Sequence, residues 1–221
     1  MDASLSQFHV VADALSVGGR TLTVSRPRSA EELIDEAEYA RDERLPYWAE
    51  LWPSGLVLAE WLDARPLTGR TVLELGCGVG VPSIVAALGG ADVVATDWYA
   101  PALAFTRANA TANGARLATV LADWADPPPS LTDRPPFDLV IGADVLYEDR
   151  NGVALAALLP RLLAPGATCV IADPRRPQAE TLIEALLGAR WTHREEDLRY
   201  AGVPDEQGPV IRLHHLTAPP G

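Results

Sequence analysis

The chain has 221 residues, 48 % of them apolar, which suits one α/β domain with a modest N-terminal addition and excludes a disordered or fibrous protein. Its formal net charge is −12 with no basic stripe, which argues against docking on a nucleic-acid backbone and favours a cationic ligand or a basic substrate. Cys77 and Cys169 stand far apart with no CxxC or Cys/His cluster, so neither a metal site nor a disulfide is expected.

The elements are taken in chain order. The N-terminal stretch lacks the apolar run of a secretory signal, so a cytoplasmic location is expected. Residues 8–25 read as a hairpin turning at Gly18-Gly19. Ser29 followed by Glu32 has the spacing of a capping box and predicts an acidic helix to about Tyr39. Residues 45–55, Leu-Pro-Tyr-Trp-Ala-Glu-Leu-Trp-Pro-Ser-Gly, are irregular around Pro46 and Pro53, with a short helix over 54–62. From Arg70 onward, strands are predicted at 71–75, 92–96, 117–121, 137–142, 167–172, 190–198 and 208–217. Helices are predicted at 81–88, 100–112, 150–163 and 177–188. Pro160 and Arg161 interrupt the apolar run 153–164, so no membrane span is expected. Strand and helix alternate, which predicts a mostly parallel, Rossmann-like sheet with helices on both faces. Only a loop joins the last two strands, so they should pair antiparallel. The expected organisation is a hairpin-and-helix extension over 1–45 and a main domain over 46–221, in a monomer.

The sharpest motif is Val72-Leu-Glu-Leu-Gly-Cys-Gly-Val-Gly80, an apolar strand running into three alternate glycines before a helix. Gly76, Gly78 and Gly80 permit a tight turn and let a ligand approach the backbone. The spacing is not the G-x-G-x-x-G of dinucleotide binders, and Glu74 would repel a pyrophosphate while suiting ammonium or sulfonium charge. This argues against a nicotinamide oxidoreductase. Asp97 ends the next strand, 17 residues beyond Gly80, where a carboxylate can accept both ribose hydroxyls or simply cap the following helix. Trp98 follows it. Asp123 and Trp124 close the third strand, placed to meet an adenine amino group and ring or to serve as a loop acid and a core aromatic. Ala143, Asp144 and Tyr147 follow the fourth strand, where a reacting group would lie.

In this order the motifs resemble class I S-adenosylmethionine (SAM) dependent methyltransferases, and within them the seven-strand protein lysine methyltransferase group, over roughly residues 45–190. The Pro-aromatic-Trp-Ala segment, the Asp-x-x-Tyr segment and Asp173-Pro-Arg-Arg-Pro-Gln178 are similar to those of the electron-transfer-flavoprotein β-subunit lysine methyltransferases. The resemblance implies SAM as cofactor. It maps Glu74, Gly76, Gly78, Asp97, Asp123 and Trp124 onto the cofactor site, Trp52 onto an aromatic near the cofactor, and Asp144 and Tyr147 onto the motif on which activity depends; Gly80, Trp98 and Ala143 are expected to complete the cofactor site. Asp144 is then expected to orient an acceptor amine, with Tyr147 and Trp48 as pocket walls. Trp48 reads equally well as core. Arg175 and Arg176 are candidate substrate-docking residues or a solvated loop pair.

The expected reaction is methylation of a protein lysine. A small-molecule N- or O-methyltransferase related to the nicotinamide N-methyltransferases is the alternative, and a silent SAM-binding module a further one. His193, His214 and His215 show no metal-ligand spacing and read as structural or exposed.

Overall fold

A computed structural model describes residues 5–33, 45–202 and 208–221. Strands β1 (Val10–Val17) and β2 (Arg20–Pro27) form an antiparallel hairpin, with Val17 opposite Arg20. Its turn carries Gly18 at φ +57°, a left-handed conformation that glycine adopts without a Cβ penalty. The capping box does not form. The Ser29 hydroxyl accepts from the Glu31 N–H, but the Glu32 carboxylate turns away to Arg28 and to His9. Glu32 therefore makes ion pairs with the hairpin's end, and the segment opens as a 3₁₀ turn over Glu31–Leu33. The rest of the predicted acidic helix lies outside the described residues.

After a 3₁₀ turn at Tyr47–Ala49, helix α1 runs Pro53–Asp63, with Pro53 in its first turn where the missing N–H costs no intrahelical bond. The main sheet then alternates as the sequence pattern predicts. It comprises β3 (Thr71–Leu75), β4 (Asp92–Asp97), β5 (Ala118–Leu121), β6 (Phe137–Ala143), β7 (Leu163–Asp173), β8 (Thr192–Arg199) and β9 (Val210–Thr217). The helices between them are α2 (Val81–Leu88), α3 (Ala100–Ala112), α4 (Pro129–Thr132), α5 (Asp149–Leu162) and α6 (Ala179–Gly188). Only the short α4 departs from the predicted set, because Pro129 opens one helical turn in the proline-rich loop.

The strand order is β5-β4-β3-β6-β7-β9-β8. Strand β9 is antiparallel to both its neighbours and all the others run one way. This is the mostly parallel, Rossmann-like sheet that the alternation of strands and helices predicts. The chain leaves its centre at β3 in one direction and returns at β6 to go the other way, so a crevice opens at the carboxyl ends of β3, β4 and β6. Buried apolar side chains cover both faces. On one side α1, α2, α3 and the hairpin contribute Leu58, Ile84, Phe105, Leu22 and Val24, and on the other α5 and α6 contribute Leu155, Leu159 and Leu182. The near-continuous apolar runs of β3 and β6 follow from burial on both faces.

The hairpin is fastened to α3 by two asparagines. Asn109 accepts from the Ser25 N–H at 2.8 Å and donates to the Ser25 carbonyl at 2.9 Å, and Asn113 does the same for Thr23 at 2.9 and 2.8 Å. Each side-chain amide thus mimics a strand neighbour along the free edge of β2.

Candidate active site

The crevice holds a cleft of about 810 Å³ lined by the glycine turn, Asp97, Asp123, Trp124, Asp144 and the Tyr47–Gly55 segment. Its floor is the turn after β3. Gly76, Gly78 and Gly80 all have positive φ, at +64°, +53° and +89°. A Cβ on Gly78 would lie 2.9 Å from the Trp48 carbonyl oxygen, and one on Gly76 would lie 3.1 Å from Val145 and 3.4 Å from the Trp124 ring. The turn is therefore closed against side chains from below and presents bare backbone to the cleft.

Two buried carboxylates sit beneath that backbone. Glu74, at the end of β3, accepts the Ser83 N–H at 2.9 Å and the Ser83 hydroxyl. Ser83 is in the first turn of α2, so Glu74 satisfies a helix donor that has no intrahelical partner. Burial pushes the Glu74 carboxyl up to about 8 against the lowering effect of those bonds. Asp97 accepts the Gly78 N–H and the Tyr99 N–H, each at 2.9 Å. Burial raises it to about 6. Asp97 thus holds the glycine turn and the start of α3 at once, and each of its oxygens keeps capacity for another donor. Of the pair, Asp97 is the one ionised at neutral pH, and it makes that end of the cleft a place where cationic charge is welcome.

Asp123 closes a short turn by accepting the Ala125 N–H at 2.9 Å. Trp124 lies edge-on to Gly76, and its buried indole N–H has no partner among the described residues. Trp98 is 42 % exposed on the cleft wall. A polar, aromatic-walled slot with bare glycine backbone fits a nucleoside carrying a sulfonium amino acid, and these residues could hold it.

At the other end, β6 runs out through Ala143 into Asp144, whose φ of +55° is unusual for a residue with a Cβ. The strand ladder carries on for one bond, from the Asp144 N–H to the Ala172 carbonyl at 2.9 Å, and then the chain swings away. Asn151 fixes that swing by donating to the Val145 carbonyl at 3.0 Å. The Asp144 carboxylate is 9 % exposed and accepts both Nη2 (2.7 Å) and Nε (3.2 Å) of Arg176. The Arg176 N–H in turn donates to Asp173 at 2.5 Å. Burial raises the Asp173 carboxyl to about 6, and the charge of Asp144 adds to that rise. Arg176 therefore links two acids across the ends of β6 and β7, Asp144 through its guanidinium and Asp173 through its backbone.

Three aromatics that line the same cleft pack together. The Tyr47 ring meets Trp52 and Tyr147, each at a centroid distance of 5.9 Å, and Trp52 is tied back by its indole N–H to the Tyr47 carbonyl at 2.9 Å. Trp48, expected as their partner, lines the same cleft but is mostly taken up in the core. It is 9 % exposed and packs among Phe8, Tyr99 and Phe105. Arg175 also departs from expectation: it leaves the cleft to pair with Asp197 on β8, so of the two arginines only Arg176 faces the site. Tyr47, Ser83 and Asn151 were not singled out in the sequence. Tyr47 is adjacent to the tryptophan that was, and Ser83 occupies the N3 position of a helix whose start was legible.

The lysine methyltransferase family matches residues 41–186. Among curated relatives, the chain is 31 % identical over 166 residues to EEF1A lysine methyltransferase 3 of Mus musculus, covering 70 % of each chain. It is 36 % identical over 145 residues to the electron transfer flavoprotein beta subunit lysine methyltransferase of Danio rerio, covering 61 % of this chain and 52 % of the relative. It is also 34 % identical over 110 residues to the histone-arginine methyltransferase METTL23 of Xenopus laevis, covering 48 % and 47 %. The matched segment thus spans about half the length of the last two. The fold is shared with the 16S rRNA N2 G1207 methyltransferase of T. thermophilus, solved with AdoMet and guanosine, at a TM-score of 0.66 and 18 % identity, covering 95 % of this chain and 50 % of that one. The chain belongs to the lysine methyltransferase family of SAM-dependent methyltransferases.

Proposed function

We propose that this chain transfers a methyl group from SAM to a side-chain nitrogen of a protein, with lysine as the acceptor. The observation that carries the reading is the Asp144 carboxylate, set in a left-handed turn in the cleft that Tyr47 and Tyr147 also line. That arrangement presents one anion and aromatic surface to a long cationic side chain.

SAM supplies a methyl group already activated on a sulfonium, so the protein's task is alignment. Asp97 puts negative charge under the glycine turn, Glu74 holds the start of α2 through Ser83, and Asp123, Trp124, Trp98 and Trp52 give the slot its polar and aromatic walls. Asp144 receives the acceptor nitrogen and fixes its approach. A lysine must be neutral to attack, and its ordinary pKa is about 10.4. A carboxylate alone would hold it protonated. Arg176 offsets that effect by sharing the Asp144 charge, while Tyr47 and Tyr147 exclude water from the amine and favour its neutral form. The N-terminal hairpin, residues 10–27, is read as an extension bound to α3 that backs the core beneath the cleft.

A second reading has its own support. Asp144 already engages a guanidinium through two nitrogens, and one relative is named as an arginine methyltransferase. The test is labelled SAM with purified protein and a cell lysate, resolved by gel and by small-molecule extraction, followed by hydrolysis of the labelled band. Label recovered as methyl-lysine is the expected result. Methyl-arginine would transfer the assignment to the second reading, and label confined to the extract would overturn both in favour of a small-molecule acceptor.

A further inference from the structure

The far edge of the sheet holds a group of side chains that methyl transfer does not use. His193 and Glu195 lie two residues apart on β8 and so point to one face, and His214 stands opposite Glu195 on β9. The His193 Nε2 and His214 Nδ1 atoms are 3.1 Å apart, and the rings stack at 24°. A Glu195 carboxylate oxygen lies 4.0 Å from the same His214 nitrogen, and one ligand atom from each of the three falls within 4.8 Å of the others. In sequence these residues show no metal-ligand spacing. Strand pairing brings them together.

We propose that His193, Glu195 and His214 form a divalent transition-metal site of the zinc type, with a fourth position open to water. Two imidazole nitrogens on one tetrahedral zinc are about 3.3 Å apart at bond lengths of about 2.05 Å. The pair is within a few tenths of an ångström of that spacing. The carboxylate has farther to move, and Glu195 is the exposed member of the three. Its other oxygen is held by Arg212 at 2.7 Å, which supplies the outer hydrogen bond that orients a metal-ligating carboxylate.

Charge around the site is compatible with a cation. Arg212 is the positive group nearest the triad, and it is shared between Glu195 and Asp197. Burial lowers the pKa of His193, and takes His214 down to about 4 with the neighbouring His193 adding to the effect. Both imidazoles are therefore neutral at pH 7 and available as ligands. Coordination would cross-link the two last strands of the sheet. Arg175 and Arg212 both pair with Asp197, so the site connects through side chains to the loop that carries Arg176. The inference is independent of the methyl acceptor.

The experiment is calorimetric titration of chelator-stripped, tag-free protein with ZnCl2 at pH 7, repeated with CoCl2 to read the visible bands of tetrahedral cobalt. One equivalent bound, a tetrahedral cobalt spectrum and a higher melting temperature with zinc are expected. His193→Ala should weaken binding by at least tenfold and Glu195→Gln by a smaller factor. His9→Ala, remote from the site, should leave it unchanged. Circular dichroism and a thermal melt without metal establish that each variant folds, and Glu195→Gln keeps the test decisive if His193→Ala does not. Substoichiometric binding, or binding that neither His193→Ala nor Glu195→Gln alters, would overturn the site.

Discussion

Gly78 shows how one residue joins fold to site. Its φ of +53° and the Trp48 carbonyl 2.9 Å from where a Cβ would stand both exclude a side chain, while its N–H anchors Asp97. Gly78→Ala should cost about 1–2 kcal/mol of stability through the left-handed backbone alone and should abolish detectable SAM binding in a calorimetric titration. Binding at wild-type affinity would remove the turn from the cofactor site. Asp144 divides binding from turnover. Asn tolerates the same left-handed φ, so Asp144→Asn preserves the turn while removing the charge. It should lower kcat/KM about 10²-fold with SAM affinity unchanged, as read by steady-state assays beside a titration. The glycine turn, Glu74 and Asp97 were legible because backbone freedom and acid placement leave a local pattern. The Asp144–Arg176 pair was not, since its partners are 32 residues apart and meet only when β6 and β7 pair. Glu74 also makes a pH prediction. Its folded pKa is about 8 against an ordinary 4.5. A raised carboxylate contributes stability that is complete below the unfolded pKa and lost as pH climbs through the folded value. The ligand-free protein should therefore lose stability between about pH 5 and 8, and Glu74→Gln should flatten that loss in melts across the range. An equal slope in both proteins would show that Glu74 is not the group responsible.

At the scale of elements, periodicity carried most of the fold. Helices α2 and α3 begin and end where the apolar spacing, Pro82 and Pro101 place them, and β3 is bounded as predicted. Strand β7 starts four residues earlier than its apolar run, because Leu163 pairs with Phe137 before a register shift restores the regular ladder at Leu139. A pattern of apolar residues cannot reveal that irregular start. Docking of the hairpin was also hidden, since it rests on polar side chains reaching backbone atoms. Asn109 illustrates the cost: it is buried, holds both backbone groups of Ser25 and donates to the Val79 carbonyl behind the glycine turn at 2.9 Å. Asn109→Ala leaves those groups unsatisfied and should destabilise the protein by about 1–3 kcal/mol. Hydrogen exchange should accelerate chiefly in residues 10–27, and a uniform acceleration across the sheet would show that the hairpin and the main sheet open as one unit.

The whole molecule is an acidic scaffold whose cations are all arginines, with a net charge of −12 and no lysine. No helix among the described residues is long and apolar enough to cross a membrane. The absence of lysine means that labelled methyl-lysine in an assay must come from an acceptor, never from the enzyme's own side chains. The charge makes a prediction about that acceptor. Glu50, Asp97, Asp123, Asp144 and Glu148 line the cleft against Arg150 and Arg176, and Arg176 is already paired with Asp144. The long-range field that an approaching partner meets is therefore negative, and it should steer a basic surface toward the cleft and repel an acidic one. Such steering is screened beyond about 10 Å at 0.1 M salt. With a basic protein acceptor, kcat/KM should fall about tenfold between low ionic strength and roughly 0.5 M salt, while kcat at saturating acceptor stays level because the chemistry takes place inside the screened cleft. A rise in kcat/KM with salt would mean that the acceptor presents acidic surface, and would shift docking from the acidic field to the arginines at the rim.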